Sequence, residues 1–526
     1  MDLMTTVLAT LPPLLFVAAG LLSFTDDGAR PIRALFASRY ASLIAFAISV
    51  TSILALIQNG SANSLTAGTG PLSLGLRLDP LSVTLCTLVS FVGVIVLQFS
   101  RNYLDGDHRQ GWFLGWMCFT LAAVMTLVLS GTLATLALAW VATSLSLHHL
   151  LVFYRDRPGA VLAARKKFYS ARAGDIALFA ALGLIGTSFD TWQISEIASL
   201  AKTTEASQML GIAAALLGFA AVLKSAQFPS HGWLIEVMET PTPVSALLHA
   251  GIVNAGGFLI IRFADIFNLF PSVLTGLIVV GGATALIGSA VMLTQNTIKT
   301  NLAWSTVAQM GFMIMQCGFG AYSAALLHIV AHSFYKAHAF LSSGSAIDRI
   351  RRPDTGEAFG PFAITRLIGG SAIALLIFAG AAQQVGFGLT EKPGFAIFGA
   401  VITLGLAHYL TRALSARSIG YVMISVMTTS IAVAVLYFGL QLGTAWVVGG
   451  LAPAALESNL IQIGLMFALL TGFAGLTLVQ NVPPSWMAHP IARRWRVHLS
   501  NGLYANALFN RLVGSTFGPS QPRKGA

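Results

Sequence analysis

Lys224 closes an uncharged run, MLGIAAALLGFAAVL, and is followed by Ser225-Ala226-Gln227 and a break at Pro229. An ammonium at membrane depth costs from about 2.5 kcal/mol on insertion scales to more than 10 in simulations, so one that is kept there lines a wet cavity or faces a counter-charge. Pro229 cannot continue the backbone ladder and frees carbonyls that water or a polar neighbour must satisfy. Charge and break together describe a functional discontinuity in a membrane helix. His249 follows on the next apolar run, after Thr240-Pro241-Thr242-Pro243. The chemistry on offer is holding and releasing a proton, or passing a cation.

A second polar cluster spans residues 295–347. His328, His332 and Lys336 recur at four-residue steps, which puts them along one helix face, about 6 Å apart per step. Histidine titrates near neutral pH and burial can pull a lysine down, so the stripe suits a hydrated proton or cation path. A buried, hydrogen-bonded structural stripe is the alternative. A zinc site is disfavoured, because no carboxylate or cysteine stands nearby in sequence. His338 is off that face and reads as structural. Lys299 lies at the start of this region, in the short loop QNTIKTN before an apolar helix. Arg172 and Asp175, three residues apart, share a helix face as an ion pair, either functional or an ordinary interfacial anchor. Asp175 is also the nearest candidate counter-charge for Lys224, provided the sixth and seventh helices touch. His148 and His149 lie near a helix end, where interfacial solvation explains them as well as proton handling does.

These residues need membrane helices to position them. Of 526 residues, 56% are hydrophobic and 9% charged, against about 25% charged in soluble domains, so the fold class is all-α, a polytopic membrane protein without a sizeable extramembrane domain. Apolar runs predict about fifteen transmembrane helices, at 4–24, 40–58, 80–100, 112–129, 132–154, 168–187, 208–227 (broken) and 241–264, then 272–294, 302–319, 321–347, 364–384, 394–414, 419–440 and 459–480. The net charge of +11 gathers in the loops on one side, from Arg30 to Arg417, and in a basic tail from Arg493 to Lys524. By the positive-inside rule that side is cytoplasmic, which puts the chain in the cell inner membrane with the N-terminus outside and the C-terminus cytoplasmic. Nucleic acid is not the expected partner. Cys86, Cys118 and Cys317 lie in apolar runs with no metal or disulfide spacing. No GxGxxG, GxxxxGK[ST], HExxH or GxSxG motif occurs, which argues against nucleotide-cofactor or hydrolase chemistry. The tail carries Pro483-Pro484, Arg493-Arg494-Trp495-Arg496 and GLYANALFNRL, and suits an amphipathic surface helix or a docking segment.

Two segments carry a family resemblance: KSAQFPSHGWLIEVMETPTPVSALLHAGIVNAGGFLIIR (224–262) and NLAWSTVAQMGFMIMQCGFGAYSAALLHIVAHSFYKAHAFLSSGSAI (301–347). They resemble the antiporter-like, proton-conducting subunits shared by respiratory complex I and Mrp-type cation antiporters, with a looser likeness from LDPLSV (78–83) to about residue 415. The resemblance implies two inverted five-helix repeats, each with a broken helix. It implies N-terminal helices over 1–110, a first repeat over 111–264 broken at 224–240, a second over 265–415, further helices over 416–480 and a cytoplasmic tail over 481–526. It also implies an ion pathway of Lys224, His249, Asp175, Arg172, Lys299, His328, His332 and Lys336.

Two departures stand out. Where the family has a glutamate after a fifth-helix tryptophan, Trp140 is followed by Val141. Where the second broken helix usually holds a lysine or glutamate, the chain offers Gln383 and Gln384. The wording of 231–262, the short length and the closing GLYANALFNRL are most similar to the membrane subunits of two-component inorganic carbon pumps. That likeness implies a largely soluble zinc partner on the cytoplasmic side, with a carbonic-anhydrase-like site. Ion flux would drive one-way CO2 hydration to bicarbonate there, and neither zinc nor catalysis would belong to this chain. A subunit of an NADH-quinone oxidoreductase or Mrp antiporter is the alternative, and a non-conducting membrane anchor a third. The missing second-half charge leads us to expect a path that stops at the central cluster.

Overall fold

The computed structural model describes residues 2–26, 28–345, 363–384, 393–414, 419–449, 459–480 and 488–517. Helices come in the order α1 (Asp2–Phe24), α2 (Ile32–Asn59), α3 (Pro80–Tyr103), α4 (Gln110–Val128), α5 (Leu133–Leu151) and α6 (Pro158–Phe189). Then come the short α7 (Ile194–Ala201), α8 (Gln208–Lys224), α9 (Gly232–Glu236), α10 (Thr242–Ala250), α11 (Ala255–Arg262) and α12 (Ala264–Phe267). The second half holds α13 (Pro271–Met292), α14 (Ile298–Gly318), α15 (Tyr322–Leu341), α16 (Ala363–Gln384), α17 (Pro393–Leu414), α18 (Ile419–Gly449) and α19 (Leu460–Gln480). The tail forms α20 (Pro490–Ser500) and α21 (Ala505–Phe517). A two-residue antiparallel ribbon, Ala62–Asn63 with Arg77–Leu78, closes the loop before α3.

Among the described residues, ten helices are long and apolar enough to cross a membrane, and three shorter apolar helices accompany them. With α14 and α15, whose polar side chains lower their hydropathy, they fall on the fifteen predicted runs. Backbone groups in lipid must be paired within the segment, and helices meet that requirement. Their ends are capped by side chains: Asp79 takes the amide of Ser82 at 2.8 Å while the Ser82 hydroxyl takes the amide of Asp79, and Thr132, Ser207 and Thr297 cap α5, α8 and α14. Each cap is worth about 1 kcal/mol.

The main core runs from α1 to α15, while α16, α17 and α18 close two smaller apolar clusters around Leu410 and Phe438. α6 packs along α8, α10 along α15, and α13 along α14. The last pair is unusually close. A Cβ on Gly281 would lie 2.6 Å from the Gly311 carbonyl, and one on Gly311 would lie 2.5 Å from the Ala285 amide, so neither position admits a side chain. Small residues allow such backbone approach between membrane helices.

Two differences from the sequence reading bear on the site. The run 241–264 is not one helix but α10 and α11, parted at Gly251 by a 3-10 turn over Ile252–Asn254. α6 begins at Pro158, not 168, so residues 165–167 lie inside it. Gln383 and Gln384, offered for the second broken helix, fall at the end of α16; Arg349, Arg351, Arg352, Lys392 and Arg417 lie outside the described residues.

Candidate functional site

α8 ends at Lys224, and the chain turns through Ser225, Ala226 in a left-handed conformation (φ 49°) and Gln227. The freed groups find side-chain partners, as buried backbone must. The Ser225 hydroxyl donates to the Val253 carbonyl at 2.8 Å, Gln227 Nε2 to the Ser225 carbonyl at 2.9 Å, and the Phe228 amide to Thr284 Oγ1 at 3.1 Å. Pro229 has no amide to satisfy. The buried His231 ring then lies between Phe228, 5.2 Å away, and Trp304, 4.7 Å away.

The half-buried Lys224 projects onto α5. Its Nζ stands 4.2 Å from the centroid of the Trp140 ring and 3.5 Å from the Trp140 carbonyl. Arg172 Nη2 pairs with Asp175 Oδ2 at 2.6 Å, so the predicted pair is made. Asp175 acts on Lys224 through its field, but its ion pair goes to Arg172. Lys167, which the sequence reading placed among loop charges, is 6% exposed and donates to both the Ser144 carbonyl and its hydroxyl. Arg172 reaches the same hydroxyl at 3.4 Å. The first half of the site is thus Lys224, Trp140, Asp175, Arg172, Lys167 and Ser144, and the sequence reading missed Lys167, Ser144 and the part played by Trp140. The only hint was the family tryptophan standing without its glutamate.

His249, on α10, is fully buried; Nδ1 meets Thr306 Oγ1 at 2.9 Å and the ring stacks on Phe340 at 4.4 Å. On α15, His328 and His332 lie 5.8 Å apart between ring centroids, and Lys336 Nζ donates to the Leu302 carbonyl at 2.9 Å and to Ser305 Oγ at 2.8 Å. His249, through Thr306 and Phe340, and Lys336, through Leu302 and Ser305, meet the same stretch of α14 and α15, so the predicted stripe and His249 form one cluster. The Nε2 atoms of His249, His328 and His332 are buried with no protein partner among the described residues. Unpaired buried polar atoms call for water. Lys299 stands apart: it reaches Thr242 Oγ1, at the start of α10, across 3.4 Å. Gln383 and Gln384 are exposed at the end of α16.

Two spaces lie near these groups. A pocket of about 40 Å³ lies between Thr143, Asn254 and Ser333, where Asn254 Nδ2 donates to Ser333 Oγ at 3.0 Å and Asn254 Oδ1 has no partner. The rest of its lining is apolar, from Leu85 and Val89 on α3 to Phe258 on α11 and Ile329 on α15. A cavity of about 710 Å³ opens beside His328 and His332, lined further by Gln309, Gln316, His408 and Gln480. Away from both, Asp79 accepts from Arg262 and, at 3.0 Å, from Arg77, a buried cluster that ties α3 to α11.

Comparison with known proteins places this geometry. Residues 130–383 match the family model "NADH:quinone oxidoreductase/Mrp antiporter, TM", and residues 65–114 match "NADH-Ubiquinone oxidoreductase (complex I), chain 5 N-terminus". The chain is 36% identical over 516 residues to "Probable inorganic carbon transporter subunit DabB2" of Halothiobacillus neapolitanus, covering 96% of this chain and 93% of that one. It is 39% identical over 360 residues to "Probable inorganic carbon transporter subunit DabB" of Hydrogenovibrio crunogenus, covering 66% and 68%. A subunit in the structure of the Mrp complex from a Dietzia species superposes with a TM-score of 0.68 at 22% identity; the alignment takes in 97% of this chain and spans 59% of that longer one.

Proposed function

Because the chain belongs to the DabB family of inorganic carbon transporter subunits, within the antiporter-like subunits of complex I and Mrp systems, we propose that it conducts protons or sodium ions and couples their flux to a DabA-like zinc partner. The family is one of cation-translocating membrane subunits, and this chain is a multi-pass member of it. In the proposed complex the partner sits on the cytoplasmic face of the cell inner membrane and hydrates CO2 to bicarbonate in one direction. Zinc and catalysis belong to that partner. This chain supplies the ion route.

The observation that supports the reading most is Lys224, set at the end of an interrupted helix with its Nζ on the Trp140 ring and the Arg172–Asp175 pair beside it. A cation on an aromatic face is attracted without being neutralised, by about 0.5–2 kcal/mol. The lysine therefore keeps a proton it can still give up. From there the ion path runs past Thr143, Asn254 and Ser333 to His249, His332 and Lys336, and leaves through the cavity beside His328. Measuring ion-driven carbon uptake in cells carrying Lys224→Ala or His332→Ala tests this; full uptake in both variants would end the reading.

A second reading, an antiporter-like subunit of an oxidoreductase or Mrp complex, is favoured by the wording of the matched family model. Against it, a chloroplastic NAD(P)H-quinone oxidoreductase subunit 5 from Ipomoea purpurea aligns over 52% of this chain and 40% of its own length. Co-purification separates the two: a single large zinc protein for the first reading, several further membrane subunits for the second. A third, the non-conducting anchor, predicts CO2 hydration that survives collapse of the membrane gradient.

A further inference from the structure

The fully buried ammonium of Lys166, on α6, is not part of the route above. Its Nζ lies 2.6 Å from Glu236 Oε1, on α9 just past the break, and 2.7 Å from Asn506 Oδ1 in the tail. Asn506 Nδ2 and Asn510 Nδ2 donate to the same Glu236 oxygen at 2.9 and 3.2 Å, and Phe509 presents its ring to Lys166 at 5.7 Å. A segment some 270 residues along the chain from Glu236 is therefore fastened to the part of the molecule where α8 is interrupted. The approach is intimate: a Cβ on Gly232, the first residue of α9, would overlap the Asn506 side chain.

The fastening differs from the packing elsewhere. It is built from an ion pair and amides, and Glu236 Oε2 is buried with no partner among the described residues. While closed, its charge-assisted bonds are strong, but they are set by geometry rather than by buried apolar area, and Glu236 Oε2 leaves an acceptor for which water competes. The α20 helix before it is exposed, with Ile491, Trp495 and Val497 all more than half accessible.

We infer that α21 is a latch, with Lys166, Glu236, Asn506 and Asn510 as its positioning residues. Seated, it fixes α9 and closes the approach to Lys224 past His231; released, it lets α9 move and ions enter. This rests on the reading that Lys224 lies on the ion route. Nothing covalent changes.

The test uses the full chain with its co-purifying partner in liposomes, with two readouts: hydrogen exchange over residues 228–240 and dye-reported proton flux. In Asn506→Ala/Asn510→Ala and in Lys166→Met, exchange is expected to rise about tenfold and flux severalfold, and Lys166→Arg, which keeps the pair, is expected to behave like the parent. Adding Lys224→Ala is expected to abolish the extra flux. Unchanged exchange in the double variant overturns the latch. So does faster exchange with unchanged flux, provided the parent's flux depends on Lys224. Parent flux indifferent to Lys224→Ala overturns the ion route, and the gate with it.

Discussion

Lys224 and Trp140 meet through a ring face and a carbonyl, 4.2 and 3.5 Å from the lysine Nζ. Asp175 makes its ion pair with Arg172, at 2.6 Å, so the ring face rather than a carboxylate is what the ammonium meets. No glutamate follows this tryptophan, since residue 141 is valine, and an aromatic face attracts a cation more weakly than an ion pair does.

If the ring holds the lysine, Trp140→Phe retains a face and is expected to keep flux within about threefold. Trp140→Leu removes the face and loses up to about 2 kcal/mol of attraction, roughly thirtyfold in flux. Proton flux in liposomes, with chain abundance checked in parallel, measures both; equal behaviour of the two variants would exclude the ring.

The cavity beside His328 and His332 offers a test that leaves every ionisable side chain in place. Ala331 lines it and is exposed. Ala331→Trp should fill much of the space and lower flux about tenfold or more, since a route stripped of its water raises the cost of moving charge. Partner co-purification should stay intact. Unaltered flux would place the exit elsewhere.

The Asp79 cluster is expected to carry stability rather than transport. Burial alone would push the Asp79 carboxyl up, but Arg262 and Arg77 more than offset it and hold the group below the ordinary carboxylate range. A depressed acid contributes stability that is present above its unfolded value, near 3.8, and lost as pH falls through the folded one. The cluster should therefore add no pH dependence to unfolding above about pH 5. Asp79→Asn strands the buried Arg262 and the partly buried Arg77 and is expected to cost about 3–5 kcal/mol, read as a lower unfolding temperature in detergent.

Asp265, on α12, runs the other way. Burial pushes its carboxyl up to about 6, with Lys202 opposing. A raised acid gives stability that is full below its unfolded value, near 3.8, and lost as pH rises through about 6. Asp265→Asn should remove that slope from the unfolding temperature between roughly pH 4 and 6. Parallel pH profiles for variant and parent would contradict it.

Most of the helices were legible because an apolar run of spanning length has few other uses in a chain so poor in charge. The first break was legible from Lys224 and Pro229, and the α15 stripe from its four-residue steps. Lys166 and Lys167 were not, because Arg165-Lys166-Lys167 looks like an interfacial charge run and only the earlier start of α6 draws two of the three inside. The Arg262–Asp79 pair joins residues 183 apart and leaves no local trace. The same holds for Asn506 and Asn510, whose partner Glu236 had no reason in sequence to be singled out. The interruption at Gly251 was hidden by an unbroken apolar composition.

Gly281 and Gly311 bring α13 and α14 together so closely that the two backbones act as one beam. Such a beam can neither slide nor twist without collision, so any alternation of access has to be carried by its neighbours. Of these, α15 bears the histidines and the broken segment bears Lys224. Both charged clusters thus sit beside the beam and are joined to it by hydrogen bonds, Lys336 to Leu302 and Ser305 and the Phe228 amide to Thr284, which are the bonds such a movement would have to exchange.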